Sequence, residues 1–162
     1  MNAQLKDNDL NALKSTIEIC TIHKERIQMA YETLSENFPF TANKIKNLTP
    51  LDLGMAELLI NRFSKLQDTI GDKIFPYVLI LFGENIYQKS FIDRLNMLEK
   101  LGIIENAEQW QAYRSAGSAA AHEYPDNLSL MAENLNHVMV LSQELVQFWT
   151  KLNHLILSKI EK

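Results

Sequence analysis

Leu128-Ser129-Leu130-Met131-Ala132-Glu133-Asn134-Leu135-Asn136-His137-Val138-Met139-Val140-Leu141-Ser142-Gln143-Glu144-Leu145-Val146-Gln147-Phe148-Trp149-Thr150-Lys151-Leu152-Asn153-His154-Leu155-Ile156 is the stretch whose reading decides the fold. Leu128, Met131, Leu135, Val138, Leu145, Trp149, Leu152 and Ile156 recur at steps of three and four, interrupted only by Ser142. That period belongs to an α-helix, here about 45–50 Å long. A second apolar edge, Met139, Leu141, Val146, Phe148 and Leu155, makes the stripe broader than one neighbour requires. Such a helix lies central in a bundle or meets a second subunit, and a homodimer is expected.

Upstream, the same spacing recurs. Leu10, Leu13, Ile17, Cys20, Ile27, Tyr31, Leu34 and Phe38 form a helical stripe broken at Lys24, ending where Asn37 and Pro39 stop the helix. Thr41 to Leu48 reads as a loop or short turn. Thr49-Pro50, with Asp52 behind it, is a helix start: a capping hydroxyl, a proline at the first position, and an acid at the positive end of the dipole. From there Leu51, Met55, Leu59, Phe63, Leu66, Ile70 and Ile74 mark a second helix, which Pro76 kinks or ends. Tyr77 to Phe82 is its short buried continuation, closed by Gly83. Ser90 caps a third helix through Leu101, stopped by Gly102, and Asn106 caps a fourth from Ala107 to about His122. The expected fold is all-α: one domain over residues 1–162, an up-and-down bundle of about five helices with a long C-terminal one.

Composition agrees. Five Gly, four Pro and few Val in 162 residues argue against strands and turns. A chain of this length buries about two thirds of its extended surface, enough for a core without staples. The single cysteine, Cys20, forms no internal disulfide, no segment reads as a leader, and the apolar run Tyr77 to Phe82 is too short for a membrane helix. A cytoplasmic location and no membrane partner are expected. The net charge of −4 argues against broad nucleic-acid binding, so RNA would be met only at a local site.

Chemistry is sparse. His23, His122, His137, His154 and Cys20 show no metal-ligand spacing, and no phosphate-binding glycine motif or nucleophile elbow is present. No metal and no cofactor are expected. Asp68 and Asp72 read as a solvated face. One segment stands apart: Tyr113-Arg114-Ser115-Ala116-Gly117-Ser118-Ala119-Ala120-Ala121-His122-Glu123-Tyr124-Pro125-Asp126. Six small residues, Ala116 to Ala121, allow a second backbone or a ligand to come close, and tight helix packing alone would account for them. An arginine precedes them, and a histidine, glutamate and tyrosine follow at the helix C-terminus. Histidine titrates near neutrality, which suits it to proton transfer.

This segment, in a bundle of about five helices, resembles the HEPN superfamily, all-α proteins often encoded beside a minimal nucleotidyltransferase. The resemblance extends to Arg62-Phe63-Ser64-Lys65-Leu66-Gln67-Asp68 and to the stretch from Ser90 to Ile104, and so covers residues 50–126; the first and last helices match only as amphipathic helices. The family motif is an arginine, four to six residues, and a histidine, often with a tyrosine two further on. It implies metal-independent RNA cleavage at a dimer interface, with histidine moving protons and arginine holding charge on the phosphate. In toxin–antitoxin members the nucleotidyltransferase attaches AMP to the tyrosine. His122 matches the histidine and Tyr124 the tyrosine. Gly117 stands at the four-residue position of the arginine, while Arg114 is separated from His122 by seven residues.

The expected function is therefore that of a nucleotidyltransferase partner, as substrate-binding subunit or as a target modified on a tyrosine, in a toxin–antitoxin-type module. The alternatives are a metal-independent ribonuclease and a catalytically silent all-α adaptor. Catalytic candidates are His122 and Arg114. Modification or binding would involve Tyr124, Glu123 and Ser118, and Arg62, Lys65 and Asp68 would supply a supporting polar face, with Arg62 or Lys65 adding a cation beside the small-residue helix.

Overall fold

A computed structural model of the chain describes residues 5–162, which are mostly helical with no strand among them. The helices are α1 (Asp7–Leu34, tightened into a 3₁₀ turn over Ser35–Asn37), α2 (Ala42–Lys46), α3 (Pro50–Thr69), α4 (Phe75–Leu81), α5 (Phe91–Lys100), α6 (Ala107–Ala121) and α7 (Leu128–Ile160). The helix α2 lies where a loop or short turn was expected, its start capped by Thr41.

The N-termini form where short side chains can cap them. The side chains of Thr49, Ser90, Asn106 and Asn127 each accept a hydrogen bond from the backbone N–H three residues on. At Ser90 the cap is reciprocal: the Asp93 carboxylate accepts from the Ser90 N–H. These bonds to Ser90 hold the Asp93 carboxyl below its ordinary range.

Pro76 neither ends nor breaks its rod. Its missing N–H and its ring, which would press on the carbonyl four residues back, are preceded by one π-helical turn, Ile70–Ile74, that joins α3 to α4. Gly71 sits inside that turn, where an added Cβ would stand 3.2 Å from the Trp110 indole nitrogen and 3.5 Å from the Phe91 ring. The aromatic side chains gather beside it, with Phe75 and Trp110 centroids 4.7 Å apart and Trp110 and Phe148 5.4 Å apart.

The core lies around α3, which packs against α1, α6 and α7, while α7 also touches α1 and α2. Leu13, Ile27, Leu59, Phe63, Ile70, Val138, Leu145 and Trp149 are fully buried. Met139 and Val146, of the second apolar edge of α7, are buried within this one chain, whereas Leu141, Phe148 and Leu155 are half-buried. Two stripe positions differ from expectation. Leu51, in the first turn of α3, is 64% exposed; Phe38 is exposed, and Phe40 is buried. The Asn136 amide holds Phe40 from both sides, accepting from its N–H at 2.7 Å and donating to its carbonyl at 2.9 Å. Among the described residues no helix is long and apolar enough to cross a membrane.

Candidate functional site

Residues 114, 118 and 122 follow one another at steps of four, which on a helix makes a ridge advancing about 6 Å per step. At that ridge Arg114, Ser115, Ser118, Ala119, His122 and Tyr124 line an open groove of about 450 Å³. The sequence candidates Arg114, Ser118, His122 and Tyr124 are thus brought to one surface. Glu123 lies on the other side of His122, in a larger cleft.

The end of α6 sets the geometry. His122 is its C-terminal cap, with extended backbone angles. Its Nδ1 lies 2.8 Å from the Ser118 carbonyl oxygen, one of the carbonyls left without a helical partner. A carbonyl only accepts, so Nδ1 carries the hydrogen and Nε2 is free to face a ligand. The Tyr124 ring stacks on the imidazole with centroids 6.3 Å apart and planes 25° apart. Beyond it the Tyr124 carbonyl accepts from the Asn127 N–H, a turn that leads the chain into α7. A guanidinium, an imidazole and a phenol on one groove can hold an oxyanion and move a proton beside it.

Gly117 points the other way. It is buried against α3, and a Cβ there would stand 2.6 Å from Ser64 Oγ and 3.3 Å from the Phe63 ring. The glycine lets α6 approach α3, with Ala116 buried beside it. An arginine at this position would enter the α3–α6 seam and not the groove. Tight packing thus accounts for residues 116 and 117, whereas Ser118, Ala121 and His122 are exposed.

The polar residues of α3 divide between two sides. Arg62 NH1 donates to His23 Nδ1 on α1 at 3.0 Å. Since guanidinium only donates, Nδ1 is the acceptor and the His23 hydrogen is on Nε2. Burial lowers the His23 pKa, and the charges of Arg62 and Lys65 lower it further. Arg62 and Lys65 therefore serve the α1 side rather than the groove, and the buried Arg62 Nε has no hydrogen-bond partner among the described residues. At Asp68 partial burial raises the pKa, the Arg114 charge opposes this, and Asp72 adds to it. Arg114, which lines the groove, is thus near enough to Asp68 for its charge to be felt there.

His23 was not among the sequence candidates, although a signal for it exists. It stands three residues after Cys20 and four before Ile27, and so fills the gap read as a break at Lys24; only 8% of it is exposed. His137 and His154 are exposed on α7. Among the described residues no three His, Cys, Asp or Glu side chains converge to hold a metal ion. No protein-family model matches the chain, and neither does any curated protein or solved structure.

Proposed function

We propose that the chain is a HEPN-like helical protein that partners a minimal nucleotidyltransferase, as its substrate-binding subunit or as a target modified on Tyr124, in a toxin–antitoxin-type module. The observation that supports this reading is the groove on which Arg114, Ser118, His122 and Tyr124 meet. In the modification version, the Tyr124 hydroxyl attacks the α-phosphorus of ATP, the bond to the bridging oxygen breaks, and pyrophosphate leaves. His122 Nε2 is the base available to take the phenolic proton, and Arg114 the cation available to the phosphate. On α7 Val140 and Leu157 are exposed, and Leu141, Phe148 and Leu155 are half-buried, apolar area that supports a homodimer.

The test mixes the purified chain with a cognate nucleotidyltransferase and ATP, followed by intact-mass measurement and by sedimentation. Expected are a complex and, for the modification version, a gain of one AMP that Tyr124→Phe abolishes. Absence of both complex and mass gain overturns the reading.

A second reading, a metal-independent endoribonuclease, is supported by Arg114 sharing the groove with His122. It predicts growth arrest on expression and relief by His122→Ala or Arg114→Ala. Intact RNA in the presence of purified protein, with harmless expression, removes it.

A further inference from the structure

A deeper cleft opens on the opposite side of His122, with a volume of about 740 Å³, within the roughly 300–1,000 Å³ of small-molecule sites. Its walls come from segments far apart in the chain: Ile45 and Leu48 at α2, Leu53 and Ile60 on α3, and Leu128 and Met131 on α7. Ala56 and Ala120 line it as well, and a larger side chain at either position would occupy the space. The volume is thus made by four elements meeting around short side chains, not by one surface groove.

The polar groups of this cleft are unbalanced. Among the described residues its charged lining consists of Glu57 and Glu123, with no Lys or Arg. Asn134 Nδ2 commits one of its two hydrogens to the Ala119 carbonyl at 3.4 Å, and His122 Nδ1 donates to the Ser118 carbonyl. Asn134 keeps its amide oxygen as an acceptor and one N–H for a ligand. Asn61 and Ser64 can serve either way. The cleft thus combines apolar walls with two carboxylates and acceptor groups.

We propose that this cleft binds a small amphipathic organic cation, an aliphatic or aromatic body carrying a protonated amine, with the body between α3 and α7 and the ammonium toward Glu57, Glu123 and the Asn134 oxygen. Carboxylate-headed molecules of the same body are disfavoured by the two glutamates. The proposal is independent of the function proposed above, because it requires neither a nucleotidyltransferase nor chemistry at Tyr124.

The test uses octylamine, octanoate and octanol as probes below their micelle-forming concentrations, with binding followed by calorimetry and by shifts of backbone amide resonances. Octylammonium is expected to bind saturably, about tenfold more tightly than octanoate at low salt, with the difference shrinking as salt screens the glutamates. Glu57→Gln with Glu123→Gln should bring the two probes level. Ala120→Leu should abolish binding by filling the cleft. Leu53→Lys should abolish it as well, at a position 49% exposed where folding is not at stake, and circular dichroism checks both folds. Octanoate binding as well as octylammonium, no saturable binding of octylammonium, or binding unchanged in folded Ala120→Leu or Leu53→Lys each overturns the proposal.

Discussion

Gly117→Ala measures the contact between α6 and α3 that turns the small-residue segment into a packing seam on one side. The new Cβ would stand 2.6 Å from Ser64 Oγ and 3.3 and 3.4 Å from two Phe63 ring carbons, whereas favourable contacts between carbons lie at about 3.5–4.0 Å. Phe63 has little freedom to retreat, being fully buried with its ring edge-on to Tyr113 at 6.3 Å. Overpacking of this kind costs about 1–3 kcal/mol, and alanine in place of a helical glycine returns about 1 kcal/mol. The expected net effect is a loss of about 1 kcal/mol, which lowers Tm by about 2–4 °C for a chain of this size. In a Ser64→Ala background the hydroxyl is gone, and the same substitution should become neutral or stabilising. Thermal and urea unfolding of the four proteins gives the coupling, expected at about 1–2 kcal/mol. Equal stabilisation by Gly117→Ala in both backgrounds would refute the close approach, because helix propensity alone would then account for it.

Gly117→Arg, which places an arginine at the spacing of the family motif, should lower the urea midpoint severely; a midpoint equal to the parent's would show that position 117 does not face α3. His23 supports a pH prediction. Its pKa lies below its ordinary 6.5 when folded, so the unfolded chain binds more protons, and stability that is complete above pH 6.5 is lost as pH falls through the lowered value. Urea midpoints across that range should flatten in His23→Gln, and an unchanged slope would dismiss the role of His23. Tyr113 acts at the other end. Burial, with Glu144 and Glu105 adding to it, pushes its pKa up to about 12 from 10, so stability present below pH 10 falls as pH rises toward 12, and Tyr113→Phe should remove that alkaline dependence. Burial also pushes the Cys20 thiol up to about 12, against an opposing pull from Lys73. A thiol reagent at pH 8 should label it only as fast as the protein opens, and immediate labelling of the folded chain would contradict its burial.

What was legible in the sequence is what local physics fixes. The spacing in α7 and the caps Thr49, Ser90 and Asn106 each depend on residues within one or two turns, and the helices begin and run where those signals lie. Pro76 reads as kinking or ending its helix, whereas a π turn five residues long carries α3 into α4, with Gly71 inside it close to Trp110 of another helix. The same limit applies at the site. Arg114, Ser118, His122 and Tyr124 share a surface because they belong to one helix end, which the sequence contains. Whether Arg62 turns toward α6 or α1 depends on which helices flank α3, and nothing local encodes that. His23 shows the converse: the period placed it on the buried stripe, and only its polarity made it read as a gap.

The two bonds from Asn136 to Phe40 make one side chain act as a strand would. A primary amide presents an oxygen and one N–H side by side and pointing the same way, so Asn136 offers the backbone of Phe40 the pair of bonds that one residue of a neighbouring β-strand offers its partner. The connection between α1 and α2 is thus stitched to α7 by a side chain standing in for a strand edge, with no strand among the described residues. The surrogate tolerates little. Asp has the shape but cannot donate when ionised, Leu has the bulk but neither group, and Gln is one methylene too long. Position 136 is accordingly more restricted in identity than most of the apolar core around it, where one aliphatic side chain often substitutes for another.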